Sequence, residues 1–279
     1  MVHSPCMEKR NYLVTGAAGG IGRAVAEILA ADGHRVFAGD INPAPTSGVD
    51  PAGEIIPMII DVTREESVQN ACKEIGSQCA GIHGIVNTAG IFRTAPLIET
   101  DAAVFSQMLE TNLTGMYRVN RHFFPLLFAE RGRIVNMSSE TARLSACFNG
   151  LYSITKFGVE AYSDALRREL QLLDIKVIII QPGPVETALL QSNRPCFMEA
   201  ATASVYFRQY LEKIADLVER EQKKAVQPLR VAAVIRKALY SNRPRLRYRV
   251  NNDVSRNILA RLPARLTDRL FKAVLKRPH

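Results

Sequence analysis

Cysteine is scarce in this chain: five among 279 residues, at Cys6, Cys72, Cys79, Cys147 and Cys196. An odd count with no CxxC spacing argues against a disulfide framework and against a cysteine zinc site. Free thiols suit a reducing compartment, so the expected location is cytoplasmic. The five histidines show no metal-ligand spacing, and no metal is expected. The opening decapeptide MVHSPCMEKR lacks an apolar stretch, so no secretory leader is expected. No apolar run is long enough to span a bilayer. With 17 glycines and 14 prolines the chain is too poor in both to be fibrous or disordered. There is no internal repeat and no low-complexity linker, which points to one domain.

What is present is an ordinary globular composition, 47% hydrophobic and 23% charged, sufficient for one sizeable core. The net charge of +9 is unevenly placed. Residues 241–279 carry 11 of the 36 basic residues and two of the 27 acids, Asp253 and Asp268, so the first 240 residues are neutral. A uniformly basic nucleic-acid-binding domain is excluded by that distribution. Residues 9–240 are expected to form a dinucleotide-binding catalytic domain with a substrate loop at about 184–227. Residues 241–279 are expected to be a basic amphipathic extension.

Short β-branched apolar runs alternate with helical patterns. Strands are expected at Asn11–Thr15, Arg35–Gly39, Ile55–Ile60, Ile82–Asn87, Arg133–Met137 and Ile175–Gln181. Helices are expected at Ala24–Ala31, Ser67–Ile75, about Ala102–Glu130 and Tyr152–Leu173. Continuously apolar strands separated by helices predict a doubly wound parallel α/β sheet covered on both faces. Ligands on such sheets bind at the carboxyl ends of the strands, near the switch point.

The segment Thr15-Gly16-Ala17-Ala18-Gly19-Gly20-Ile21-Gly22 joins the first strand to the first helix. Glycines permit tight turning and close approach of backbone to phosphate, and a helix N-terminus offers free N–H groups and a positive dipole end. The spacing is not GxGxxG, and a glycine-rich turn without a ligand is the competing reading; its position after the first strand favours the phosphate loop. Asp40 ends the second strand, where a carboxylate accepts hydrogen bonds from ribose hydroxyls and repels a 2′-phosphate. No Arg or Lys adjoins it in GDIN, so NAD is preferred over NADP.

Taken together, several motifs resemble the short-chain dehydrogenase/reductase family. Thr15-Gly16-(x)3-Gly20-Ile21-Gly22 is similar to its cofactor loop, and Asp61-Val62 to its adenine-contacting pair. Asn87-Thr88-Ala89-Gly90 resembles its N-N-A-G motif, with Thr88 as a departure. Asn112 stands where the family has a catalytic Asn. Ser139, thirteen residues before Tyr152, and Tyr152-Ser153-Ile154-Thr155-Lys156 match its serine and Y-x-x-x-K. Pro182-Gly183 and Thr187 match its P-G…T. The resemblance covers roughly residues 9–190. The stretch TKFGVEAYSDALRREL further resembles members acting on retinol and 17β-hydroxysteroids. A homodimer or homotetramer is what the family implies.

The resemblance makes the chain an oxidoreductase, with Asn112, Ser139, Tyr152 and Lys156 as its catalytic set. Tyrosine's ordinary pKa of about 10 is too high for an efficient base near neutrality, and a neighbouring cation favours the phenolate. Tyr152 and Lys156 are four apart on one helical face, so the ammonium is expected to lower the phenol's pKa. Ser139 can donate to a developing oxyanion. The family implies that Lys156 holds the nicotinamide ribose, that Asn112 positions a water, and that Thr187 binds the carboxamide. Asn87, Ala89 and Gly90 are expected to shape the cofactor floor and brace the sheet. A non-catalytic dinucleotide-binding scaffold or redox sensor is the alternative, but a sensor needs no proton-transfer groups.

The substrate loop carries Leu189, Leu190, Phe197, Met198, Val205, Tyr206 and Phe207, which with Leu144 and Phe148 are candidates for an apolar pocket or for plain core. Phe148 is the substrate contact expected beside Ser139 and Tyr152, and a lipophilic alcohol or ketone is the expected substrate. In the tail, Val254, Ile258, Leu262, Leu266, Leu270 and Val274 recur every four residues among basic side chains, with Pro263 as an interruption. Residues 254–276 therefore suit either an anionic membrane surface or packing on the domain or on a second subunit.

Overall fold

The computed structural model describes residues 8–43 and 53–276. Cys6 and most of the decapeptide on which the leader was judged lie outside the described residues. Seven strands form one sheet: β1 (Asn11–Thr15), β2 (Arg35–Asp40), β3 (Glu54–Ile59), β4 (Gly84–Asn87), β5 (Arg133–Met137), β6 (Lys176–Pro182) and β7 (Arg247–Val250). Their order is β3-β2-β1-β4-β5-β6-β7, and every pairing is parallel. The chain winds outward from β1 to β3 and then returns to β4 on the other side. The switch point therefore lies between β1 and β4, where a crevice opens at the strands' carboxyl ends. β7 was not expected: its four residues, RYRV, are half charged, and no apolar run marks it as an edge strand.

Eleven α-helices are described. α1 (Gly20–Ala31), α2 (Glu65–Gln78), α3 (Ala102–Leu109), α4 (Gly115–Ala129) and α5 (Gly150–Leu170) alternate with the first strands. α6 (Ala188–Gln191), α7 (Asn193–Ala203), α8 (Arg208–Gln222) and α9 (Pro228–Tyr240) follow β6, and α10 (Val254–Leu259) and α11 (Ala264–Lys276) follow β7. Side chains alternate between the sheet's two faces. Tyr12 and Val14 of β1 enter one core with Val25 and Leu29 of α1 and with Val231 and Ile235 of α9. Leu13, between them, enters the other core with Val68 and Ile75 of α2 and with Phe123 and Leu127 of α4. Burial on both faces is why these strands read as unbroken apolar runs.

The long helix expected at 102–130 forms, with a π turn at Glu110–Thr114 joining α3 to α4. Its apolar pattern passes through the turn, so the pattern did not show it. A buried amide cluster braces the centre. Asn87 Nδ2 donates to Asn120 Oδ1 at 2.8 Å and to Asn136 Oδ1 at 2.9 Å, tying β4 to β5 and α4. Beyond the carboxyl edge, α7 and α8 pack a third apolar cluster around Phe92, Phe197 and Leu211.

Candidate active site

A cavity of about 640 Å³ opens at the carboxyl ends of the strands. One end of its wall is the glycine turn leading into α1. Gly16 has φ +69°, and a Cβ there would meet the Ala89 backbone at 2.8 Å. A Cβ on Gly22 would run into the Gly16 carbonyl oxygen. Only glycine allows strand, turn and helix to close this tightly. The N-cap of α1, Gly19, supplies no side-chain hydrogen bond, and the first turn carries no acid. Uncapped N–H groups and the positive end of a twelve-residue helix thus line the cavity wall, a donor set that fits a dinucleotide pyrophosphate.

At the other end, Ser139 follows β5 and Tyr152 and Lys156 lie on α5. The Ser139 Oγ accepts the Thr141 N–H at 3.2 Å. A hydrogen bond also joins the Ser139 side chain to the Tyr152 phenol. Burial pushes the phenol up to about 12, and the Ser139 hydrogen bond opposes that rise. Lys156 Nζ lies 5.5 Å from the Tyr152 ring centroid and donates to the Met137 carbonyl at 2.9 Å. Burial brings its ammonium down to about 8, against the pull of Glu160. The expectation that Lys156 lowers the tyrosine pKa therefore meets a different balance. The four-residue spacing puts the pair on one face, but desolvation of the phenol dominates.

Gly16, Gly20, Ile21, Gly22, Ala89, Gly90, Ser139, Tyr152, Lys156, Pro182, Gly183 and Thr187 all line this one cavity. The remaining expected site residues stand behind it or beside it. Thr15 is buried, and its Oγ1 accepts the Ala89 N–H at 3.4 Å while its carbonyl takes the Thr88 hydroxyl. Asp40 holds the turn from the side: Oδ2 accepts the Ala18 N–H at 3.0 Å and Oδ1 the Asn42 N–H at 3.1 Å. Asp61 Oδ1 accepts the Thr63 N–H at 2.9 Å, and Val62 is buried against Gly115. Asn87 belongs to the amide cluster.

Asn112, fully buried in the π turn, clamps the Ile91 backbone with both ends of its amide, at 2.8 and 2.9 Å. Its Nδ2 also reaches Thr155 Oγ1, next to Lys156, at 3.2 Å. A π turn widens the helical ring and is a frequent feature of functional sites.

Phe148 lies outside this cavity. It lines an adjoining one of about 890 Å³, its ring 5.3 Å from that of Phe207. The two cavities share Ala146, Cys147, Leu259, Phe271 and Leu275 as walls. Of the substrate-loop candidates, Leu189, Leu190 and Phe197 face the first cavity; Phe207 and Leu144 face the second. Met198 packs on the third cluster, while Val205 and Tyr206 are exposed.

The tail folds back over the site: Leu259, Phe271 and Leu275, which extend the tail's apolar stripe, close the cavity from α10 and α11, so the stripe packs on the domain. Other wall residues escaped the sequence. Arg256 joins the tail to the site floor, with Nη2 2.6 Å from Glu221 and Nε 3.6 Å from Glu140. Glu140 also accepts the Asp253 N–H at 3.0 Å, and burial raises its pKa against the pull of Arg256. Nothing in NMSSE marks Glu140 as buried; an acid beside a loop serine reads as a solvated residue. Phe92, whose ring meets that of Tyr152 edge-on at 5.3 Å, carried no motif.

The short chain dehydrogenase family model matches residues 10–196 of this chain. The chain is 31% identical over 296 residues to human short-chain dehydrogenase/reductase family 9C member 7, across 98% of this chain and 92% of that one. It is 32% identical to human retinol dehydrogenase 5, across 95% of this chain and 88% of that one. Among solved structures, a short chain dehydrogenase from Burkholderia cenocepacia J2315 in complex with NADP superposes with a TM-score of 0.72 at 24% identity, over 97% of this chain and 99% of that one. That last likeness is one of fold.

Proposed function

The chain belongs to the short-chain dehydrogenase family, and on that footing we propose that it interconverts a lipophilic alcohol and its carbonyl compound, with Tyr152 as acid/base and NAD as the preferred dinucleotide. The observation that carries this reading is the meeting of Tyr152, Ser139 and Lys156 at one end of a cavity whose other end is an uncapped helix N-terminus. A family oxidoreductase needs both ends within one cleft, so that proton and hydride leave the same carbinol.

The glycine turn, Thr187 and Lys156 would hold the dinucleotide, which supplies the hydride acceptor or donor when bound. A phenol kept protonated by burial is ready to give its proton to a carbonyl oxygen. The Ser139 hydroxyl donates to that same oxygen as negative charge grows on it. Lys156, anchored on the Met137 carbonyl, keeps a positive charge under the tyrosine ring below about pH 8. In the opposite direction the alcohol must lose its proton to the phenolate, a form scarce far below pH 12.

The preference for NAD rests on Asp40, whose carboxylate fixes the Ala18 amide and thereby places negative charge beside the turn. The lipophilic class rests on the walls, where Leu189, Phe197, Leu259 and Phe271 dominate, and on the likeness to a retinol dehydrogenase. The size is that of a small-molecule pocket.

Tyr152→Phe tests the reading. Dinucleotide affinity, followed by cofactor fluorescence, should be retained, while turnover of hydrophobic alcohols should fall by about 100- to 10,000-fold. A variant as fast as the parent removes the mechanism.

A further inference from the structure

Ile98 lines the second cavity and is 84% exposed, and Val205 and Tyr206, 80% and 74% exposed, directly precede its wall residue Phe207; together they make one apolar rim. Glu99 Oε1 accepts the Val205 and Tyr206 N–H groups at 3.1 and 2.9 Å, so this rim is one tied unit. The other rim is α11. Phe271 and Leu275 line both cavities, and Leu270 and Val274 line the first while remaining, like Leu266, more than two-fifths exposed. Exposed apolar side chains gathered around a cavity mouth mark an interaction surface.

The charge on α11 is predominantly positive. α11 carries Arg265, Arg269, Lys272 and Lys276 against a single acid, Asp268. None of the four cations has a carboxylate partner among the described residues. A second copy of the chain docking here by a twofold axis would bring the same cations against each other. A helix with an apolar stripe between unpaired cations has the charge complement of an anionic lipid surface. Among the described residues no helix is long and apolar enough to cross a membrane, so contact of this kind lies along the surface.

We infer that α11 and the 98/205–206 rim dock the protein on an anionic bilayer, so that the cavity mouth opens into the lipid. The shared walls at Ala146, Leu259, Phe271 and Leu275 then form the path from the bilayer to Tyr152. A lipophilic substrate enters by that path without crossing water. The substrate part of this inference rests on the proposed function; the docking part does not.

The full chain should be sedimented with vesicles of phosphatidylcholine and with vesicles that also contain phosphatidylserine. Binding is expected on the second and to be at least ten-fold weaker on the first. Arg265→Glu/Arg269→Glu should reduce partition onto the anionic vesicles by about 100-fold or more, since each cation at such a surface contributes roughly a factor of five. Neither arginine lines either cavity, so turnover of a short, water-soluble alcohol and the unfolding midpoint should stay at parent values. Ile98→Ser/Tyr206→Ser, which leaves the charge intact, should weaken partition by about ten-fold. Equal partition onto the two vesicle types, or undiminished binding of the charge-reversed variant, overturns the inference. So does a concentration-dependent dimer that the charge reversal abolishes while no vesicle binds. Lack of turnover on any alcohol with intact vesicle binding strikes the proposed function alone.

Discussion

Replacing Lys156 by methionine should make the folded chain more stable near pH 7 while removing its activity. Lys156 is almost fully buried, and burial takes its ammonium from 10.5 to about 8. Near pH 7 the group is charged in both folded and unfolded chains, and keeping it charged in the interior costs about 3 kcal/mol at roughly 1.4 kcal/mol per pH unit. Methionine is unbranched, adaptable and free of that cost. Losing the 2.9 Å hydrogen bond to the Met137 carbonyl takes back about 1 kcal/mol. The expected gain is therefore about 2 kcal/mol. The sign also fixes the pH dependence. Between about 8 and 10.5 the unfolded chain holds a proton that the folded chain has released, so the parent gains stability as pH rises through that window. The advantage of Lys156→Met should shrink by about 2 kcal/mol between pH 7 and about pH 9.5. Urea unfolding of both proteins at the two pH values measures the difference, in which every other titrating group cancels. A variant less stable than the parent at pH 7, or a difference that stays flat with pH, would show that the ammonium's burial carries no such cost.

Asp40→Ala should erode the ratio of kcat/KM for NAD over that for NADP by about ten-fold or more, because the carboxylate beside the turn is removed; an unchanged ratio would dissociate Asp40 from cofactor choice. Arg256→Met should destabilise the fold by about 3 kcal/mol near pH 7, since it strips the counter-ion from buried Glu140. Because burial raises the Glu140 pKa, that carboxylate takes up a proton earlier than usual as pH falls, and the penalty should be smaller at about pH 5; urea unfolding at both values would expose a pH-independent loss. Deleting residues 263–279 should raise KM for a long-chain alcohol by about ten-fold while sparing a short one, because Phe271 and Leu275 leave the cavity wall; equal effects on both would place α11 outside the substrate path.

The sheet was legible because its strands are covered on both sides. A run such as KVIIIQP has no polar face to hide, and β1, β2, β5 and β6 fall within a residue or so of expectation. β7 was not legible, for the opposite reason: an edge strand built of RYRV owes its pairing to β6, not to its own pattern. The glycine turn and the Tyr152–Lys156 pair were legible through the family resemblance, and the four-residue spacing adds that the pair shares one helical face. Spacing does not give the direction of a long side chain. The Lys156 amine, over the Tyr152 ring, bonds to the Met137 carbonyl, and the Asp40 carboxylate turns to the Ala18 amide. Phe148, with φ +62°, lies in a turn whose geometry sends its ring into the neighbouring cavity, which no periodicity could convey. The tail stripe was read correctly as amphipathic, yet which surface covers an amphipathic helix is a tertiary fact. Here the stripe lines the cavity through Leu259, Leu270, Phe271, Val274 and Leu275, while Leu266, Leu270 and Val274 stay partly exposed.

The same dryness that admits an apolar molecule also decides which proton chemistry the folded chain prepares. Burial acts oppositely on the two groups, raising the phenol to about 12 and lowering the ammonium to about 8. Between those values both groups are neutral, and below about 8 the lysine alone is charged. At no pH in that range do the chain's own groups form a phenolate–ammonium pair. On the mechanism proposed above, a phenol that burial keeps protonated is an acid toward a carbonyl oxygen. Oxidation has to draw on a phenolate fraction that falls about ten-fold for each pH unit below 12. On that mechanism, the walls that lower the polarity around Tyr152, Phe92 on its edge and the apolar cavity lining, would couple substrate class to direction: a wetter cleft would ease the oxidation and weaken the hold on a lipophilic substrate.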